Sequence, residues 1–129
     1  MFAADRLDHV AFTARDLAAL AGWYQTVFGM QRAHADAWPD LDGGHPLVLC
    51  AGTVCVALFR AREGVAPRPA EPGDSNEHFA LALDRANFER AQIDLDRLRV
   101  AYEVRDRICD SLYLEDPEGH QIELTTYRP

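Results

Sequence analysis

The 129-residue chain contains no lysine, and its 13 basic residues are arginines scattered along the sequence. Without a lysine amine, a Schiff-base mechanism and a lysine general base are excluded. The formal net charge is −8. Because binding to a nucleic-acid backbone requires clustered cations, this acidic balance argues against a nucleic-acid partner.

Long apolar runs and a leader pattern are also absent. No apolar stretch approaches the ~20 residues that a membrane helix requires. The segment from Met1 to Arg6 lacks the basic start and the apolar stretch of a signal peptide. We therefore expect a cytoplasmic protein without a membrane partner.

The sequence has only three cysteines, Cys50, Cys55 and Cys109, and no CxxC pair. Such a set is not typical of a disulfide scaffold or a zinc knuckle, so we expect reduced, partly buried thiols. The apolar content of 48% and the charged content of 26% match an ordinary globular protein. The length suits one domain with one core.

Two halves of the sequence have the same order of elements. They are a first module at about residues 5–60 and a second at about 77–127, joined by a linker at about 61–76 that is rich in proline and glycine. Aligning His78 with His9 gives both halves the pattern acid–His–apolar–Ala–apolar, followed by a helix. This similarity predicts an internal repeat.

Apolar periodicity predicts the elements of each module. In the first module we expect a helix between an Asp16 N-cap and Gly29, a tight turn at Ala51-Gly52, and strands at 7–14, 30–37, 46–50 and 53–60. In the second we expect a helix at 86–98 and strands at 77–83, 101–104, 109–115 and 121–127. Two βαβββ copies give an α+β fold, a curved mixed sheet forming a cup with the helices on its outer face.

Alternation along four of these strands divides their residues between two faces. One face is bulky and apolar. The other consists of small or polar residues, and it carries His9, His78, Glu123 and Tyr113. A packed core does not ordinarily combine such groups with Ala, Thr and Ser, so the pattern predicts a lined cavity.

Two imidazoles and one carboxylate are a recurring ligand set for a catalytic divalent ion, because they leave coordination positions for substrate, water or dioxygen. A single histidine in a strand is more often structural or exposed, and the spacing of these residues alone establishes nothing. The repeat and the shared face together favour His9, His78 and Glu123 as the ligands of one metal ion.

Two motifs resemble the vicinal oxygen chelate superfamily, which includes glyoxalases, fosfomycin- and bleomycin-resistance proteins and type I extradiol dioxygenases. Leu7-Asp8-His9-Val10, followed by a helix that ends in Trp23-Tyr24-x3-Phe28-Gly29, is similar to the opening of these proteins. The segment from Ser111 to Leu124 looks like their closing motif, with Glu123 as ligand. The resemblance covers nearly the whole chain and implies a single domain of paired modules, a metal cup and a homodimer.

The resemblance leaves the reaction open. In each candidate reaction a metal binds an oxygen-bearing small molecule and stabilises negative charge on it. The extradiol signature is similar to Leu112-Tyr113-x2-Asp116-Pro117-x-Gly119-x3-Glu123, which implies Fe(II) or Mn(II) and a substrate-orienting role for Tyr113. The histidine of that signature is replaced by Asp106, which is either the acid–base residue or, more commonly at such a position, a solvated loop carboxylate.

Three alternatives remain beside an extradiol dioxygenase-like enzyme that acts on a catechol-like substrate. Glyoxalase-like isomerases, with Zn(II) or Ni(II), ordinarily have a fourth ligand, a glutamate on the fourth strand. Subtracting the spacing between His9 and His78 from the position of Glu123 gives Val54, or Cys55 if one residue of slippage is allowed, and neither is an acid. Cys55 as a ligand is a minor possibility. Fosfomycin-resistance-type thiol transferases use additional cations, and no lysine matches them here. A metal-free protein that binds small molecules, as in bleomycin resistance, is disfavoured by the intact triad.

Overall fold

The computed structural model describes residues 1, 3–37, 45–62, 77–106 and 109–127, apart from the side chain of Asp106. The chain divides into two units, residues 1–69 and 70–129. The predicted linker at 61–76 lies outside the described residues from residue 63 onward. No helix in the described ranges is long and apolar enough to cross a membrane.

The first unit is a βαβββ module. Its elements are β1 (Val10–Ala14), α1 (Leu17–Phe28), β2 (Gln31–Ala33), β3 (Leu47–Ala51) and β4 (Val54–Arg60). The sheet has the order β1-β4-β3-β2, in which β1 runs parallel to β4 and the other neighbours are antiparallel.

The second unit repeats this topology. Its elements are β5 (His78–Ala82), α2 (Arg85–Leu98), β6 (Tyr102–Asp106), β7 (Asp110–Glu115) and β8 (Gln121–Thr125). The sheet has the order β5-β8-β7-β6, again with one parallel pair, β5 and β8. The α+β fold of two βαβββ modules is therefore confirmed, as two four-stranded mixed sheets.

Each unit has its own apolar core. Strand alternation correctly predicts Leu112, Leu114, Ile122 and Leu124, whereas Val10 and Phe12, predicted in the same way, are only half-buried. The largest buried side chains of the first unit are Tyr24, Leu20, Met30, Leu49, Leu58 and Val56. In the second unit the core side chains are Phe88, Leu95, Leu112, Leu114, Ile122 and Leu124. Full burial of one such side chain stabilises the fold by about 1.5–3 kcal/mol, so these residues fix which face of each sheet is covered.

Both helices begin at an aspartate. The Asp16 carboxylate accepts a hydrogen bond of 3.0 Å from the Ala19 N–H, as predicted, and Asp84 accepts one of 2.7 Å from the Asn87 N–H. Helix α1 ends at Gly29 with φ +63°, the left-handed conformation that glycine adopts most readily. Helix α2 ends at Arg99 in the same conformation, with φ +57° and without a glycine.

A buried carboxylate organises the turn between β7 and β8. Asp116 Oδ1 accepts hydrogen bonds from the backbone N–H groups of Glu118 and His120, and Oδ2 lies 2.7 Å from His120 Nδ1. Burial raises the pKa of Asp116, but these hydrogen bonds and the His120 imidazole outweigh burial and hold it below its ordinary value of 3.8. The turn thereby fixes where β8 starts, two residues before Glu123.

The hairpin between β3 and β4 differs from the prediction. Its turn consists of Gly52 and Thr53, not Ala51-Gly52, and Gly52 has φ +60°. The one-residue shift places Cys50 directly opposite Cys55, and the two are joined by a disulfide. The expectation of reduced thiols at these two positions was wrong, because the predicted turn did not bring them opposite each other.

His9 lies just outside the sheet. The first strand was predicted at 7–14, but β1 begins at Val10. The preceding residues contact one another instead, since Arg6 and His9 both bind the Asp8 carboxylate.

Replacing Arg99 by Gly should stabilise the second unit. The left-handed conformation costs a non-glycine residue about 1–2 kcal/mol, part of which is offset by the greater entropy of unfolded glycine. We expect a net gain of up to about 1 kcal/mol in the free energy of unfolding, measured with urea. The matched control Arg97→Gly, inside the last turn of α2, should lose about 1 kcal/mol. A loss of stability in both variants would contradict this account of the helix end.

Candidate metal centre

A row of side chains crosses one face of the second sheet. The strand register sets Ala80 beside Glu123, Glu123 beside Tyr113, and Tyr113 beside Glu103. Residues paired across neighbouring strands share a face, and His78 joins this face because it lies two positions before Ala80. The predicted polar face is thus present in the second unit.

His78 and Glu123 are in direct contact. His78 Nε2 lies 3.0 Å from Glu123 Oε2, and the side chains are 30% and 14% exposed. The Tyr113 ring lies against the imidazole, with 5.7 Å between the ring centroids. A neutral imidazole and a carboxylate are ligands that first-row divalent metals accept. The two side chains are of the kinds that can supply one side of a metal site, and they lie within 3.0 Å of each other.

The hydrogen bonds at Glu123 keep its carboxylate ionised. Burial raises the pKa of Glu123, whereas hydrogen bonds from Ser111, Tyr113 and His78 lower it. The hydrogen bonds outweigh burial, and the pKa lies below its ordinary value of 4.5. A carboxylate that is deprotonated at neutral pH can bind a cation without first losing a proton.

A small polar cluster lies on the same face beside Glu123. The hydroxyls of Ser111 and Thr125 are 2.8 Å apart and buried, and the Cys109 thiol lies 3.4 Å from the Thr125 hydroxyl. The Tyr127 N–H also donates to Thr125. The Ser111 hydroxyl donates to Thr125, so this cluster is held by its own hydrogen bonds and packs beside the candidate ligand.

Arg105 lies over the Tyr113 ring, a contact that sequence analysis did not identify. Its guanidinium carbon is 4.5 Å from the ring centroid, and Glu103 binds the guanidinium through two hydrogen bonds of 3.1 and 3.2 Å. The register explains the contact, because Arg105 and Glu103 lie opposite Ser111 and Tyr113. These pairings depend on the β6–β7 register, which the sequence does not reveal.

His9 belongs to the first unit and is held by its neighbour. Its Nδ1 lies 2.9 Å from Asp8 Oδ2, and the imidazole is 47% exposed. The hydrogen bond with His9, followed by the charge of Arg6, lowers the pKa of Asp8. A carboxylate on Nδ1 favours the tautomer in which Nε2 carries the lone pair, an arrangement that orients many metal-binding histidines.

The predicted site residues are therefore only partly brought together. The second unit places His78, Glu123 and Tyr113 side by side. Within the described ranges, no group of three or more His, Cys, Asp or Glu side chains is arranged to hold a metal ion. The participation of His9 remains a prediction. Asp106 is the last residue of β6, opposite Asp110, and its predicted role rests on a side chain outside the description.

The first unit carries alanine at the position equivalent to Glu123. Ala57 pairs with Ala11 as Glu123 pairs with Ala80. Sequence analysis predicted Val54 or Cys55 at this position because it assumed the same spacing in both modules, and that prediction was wrong. Ala57 lies 46 positions after Ala11, whereas Glu123 lies 43 positions after Ala80. The conclusion from the sequence is unchanged, since alanine cannot supply a fourth ligand.

Comparison with known proteins gives a consistent assignment. The family profile "Glyoxalase/Bleomycin resistance protein/Dioxygenase superfamily" matches residues 6–124. A glyoxalase/dioxygenase from Nostoc punctiforme is 22% identical with a TM-score of 0.75, and the match covers 94% of this chain and 90% of that one. A lactoylglutathione lyase from Agrobacterium tumefaciens is 21% identical with a TM-score of 0.71, covering 95% and 93%.

A third similar structure contains a metal. The fosfomycin resistance protein of Listeria monocytogenes, solved as a mutant with Mn(II) and 1S,2S-dihydroxypropylphosphonic acid, is 15% identical with a TM-score of 0.71. The match covers 98% of this chain and 94% of that one. At these identities the three structures establish the shared fold alone.

Removing the Tyr113 hydroxyl should raise the pKa of Glu123. In Tyr113→Phe the carboxylate loses one of its donors, so its pKa should move toward 4.5, as followed by NMR titration of the metal-free protein. Because the pKa of Glu123 is lowered in the folded protein, this carboxylate contributes stability above about pH 4.5, and that stability is lost as the pH falls. The free energy of unfolding of Tyr113→Phe should therefore fall less on acidification than that of the native protein. The exposed Tyr127→Phe serves as control. An unchanged Glu123 pKa in Tyr113→Phe would contradict the assigned hydrogen bond.

Proposed function

The chain belongs to the glyoxalase/bleomycin resistance protein/dioxygenase superfamily, and on this basis we propose that it is a divalent-metal-dependent enzyme acting on a small oxygen-bearing molecule. In this proposal His9, His78 and Glu123 are the metal ligands. The observation that carries the proposal is the contact of 3.0 Å between His78 Nε2 and Glu123 Oε2 beside Tyr113. We propose extradiol ring cleavage as the reaction, with a catechol-like substrate.

We propose three protein ligands because the two sheets carry different residues at equivalent positions. Glu123 occupies its position in the second unit, whereas Ala57 occupies the equivalent position in the first. Three protein ligands leave coordination positions for two neighbouring substrate oxygens, and the metal supplies Lewis-acid stabilisation of negative charge on them. This argument favours Fe(II) or Mn(II) over a four-ligand Zn(II) or Ni(II) site.

We assign Tyr113 the role of orienting the substrate. Its hydroxyl hydrogen bonds to Glu123, and its ring contacts the His78 imidazole. The phenol has a single hydrogen, so in this role Tyr113 would exchange its hydrogen bond to Glu123 for one to a substrate oxygen as that oxygen becomes negatively charged. Asp106 retains its proposed acid–base role. A homodimer and a cytoplasmic location also remain proposals.

Arg105 favours a substrate with an anionic group. Its guanidinium covers the Tyr113 ring, and Glu123 and Tyr113 both act on it electrostatically. Arginine binds carboxylates through paired hydrogen bonds. The carboxylate of a carboxylated catechol could therefore replace Glu103 as the partner of the Arg105 guanidinium, while the catechol hydroxyls face the metal ligands.

Titration with Mn(II) tests the ligand set. We expect the metal-free protein to bind one equivalent by calorimetry, and His9→Ala, His78→Ala and Glu123→Gln each to weaken binding by at least about 100-fold. The exposed His45→Ala should bind as the native protein does. Native affinity in any of the three ligand variants would remove that residue from the site, and no binding by the native protein would favour a metal-free binding protein.

Measuring kcat together with metal content distinguishes the role of Tyr113 from that of the metal ligands. Tyr113→Phe should lower kcat for a catechol substrate roughly 100-fold, since one donor to a developing oxyanion is lost, while metal content stays the same. Assays should start anaerobically with Fe(II) or Mn(II) added. Loss of metal from this variant would show that the tyrosine has been misassigned.

Substrate charge provides the test of Arg105. For Arg105→Gln we expect a KM for 3,4-dihydroxybenzoate raised about tenfold, with the KM for catechol nearly unchanged. Arg90→Gln on α2 is the matched control, because Arg90 pairs with Asp94 away from the sheet face. An equal effect on both substrates would reject charge recognition by Arg105.

A further inference from the structure

The disulfide of the first unit joins two strands that pair directly. Gly52 and Thr53 form the turn, Ala51 and Val54 close it, and Cys50 and Cys55 are the next pair. Their Cα atoms are 4.2 Å apart, which identifies the close pair of an antiparallel ladder. The backbone ladder places the two cysteines directly opposite each other.

The two cysteines lie on the face of the first sheet that corresponds to the Glu123 face of the second sheet. Cys55 is two positions before Ala57, so the two share a face, and Ala57 is the counterpart of Glu123. Ala11 pairs with Ala57, and His9 lies two positions before Ala11 just as Cys55 lies two before Ala57. Continuing this register beyond β1, Cys55 lies beside the chain segment that carries His9.

We expect the hairpin to form without this bond. The cysteines are five positions apart, so the bond closes a short loop and restricts the unfolded chain little. Both residues are half-buried and therefore accessible to small molecules. Because β3 and β4 pair over five residue pairs, we expect the strands to stay paired after reduction and the two thiols to remain close enough for one to displace a group from the other.

We propose that Cys50 and Cys55 form a reversible thiol–disulfide exchange site that reacts with a small-molecule disulfide such as oxidised glutathione. One cysteine thiolate attacks the small disulfide, forming a mixed disulfide and releasing one thiol. The other cysteine then attacks the protein sulfur of the mixed disulfide and releases the second thiol. The two protein thiols lose two electrons and two protons, and one glutathione disulfide becomes two glutathione molecules.

Equilibration in glutathione buffers tests this proposal. The folded protein is held at a series of ratios of reduced to oxidised glutathione, quenched with acid, alkylated and weighed by mass spectrometry. We expect one two-electron transition between a dithiol and a disulfide at Cys50 and Cys55, identical when approached from either side. Circular dichroism should show the same folded spectrum at both ends.

Single substitutions locate the chemistry. Cys50→Ser should stop at a glutathione adduct on Cys55, whereas the matched control Cys109→Ser should retain the complete transition. The proposal is overturned if Cys50 and Cys55 remain alkylatable in the most oxidising buffer. It is equally overturned if the bond resists dithiothreitol until the protein unfolds.

Discussion

The strand register of the second sheet is the constraint on which the candidate site depends. Backbone pairing of β8 between β5 and β7 places Glu123 next to Tyr113 and within reach of His78. Shifting β8 by one residue would turn Glu123 to the opposite face, where Ile122 and Leu124 are buried. The burial of these two apolar residues and the Asp116 turn therefore select the register that exposes the carboxylate.

Electrostatics then determine what this register can bind. The sheet face surrounds Glu123 with hydrogen-bond donors that keep it ionised, and it places the cation of Arg105 on the far side of Tyr113. A metal ion held by His78 and Glu123 would meet an imidazole nitrogen and a carboxylate oxygen that already lie 3.0 Å apart. An anionic substrate group would find a guanidinium.

Sequence patterns predict the elements better than their pairings. Alternation identified the buried faces, and Asp16 and Gly29 marked the limits of α1, because both signals are local. The equivalence of Ala57 with Glu123, the Cys50–Cys55 contact and the Arg105–Tyr113 contact all depend on registers. The first depends on a three-residue difference in length between the modules, the second on a one-residue shift of a turn, and the third on the pairing of β6 with β7. The sequence contains no local signal for any of these.

The central proposal is that His9 and His78 bind the same metal ion. Pulsed electron paramagnetic resonance of the Mn(II)-loaded protein tests it most directly, because this measurement counts the imidazole nitrogens coupled to the metal. The account predicts two imidazoles in the native protein and one in His9→Ala. A single coupled imidazole in the native protein, unchanged by the His9 substitution, would contradict it.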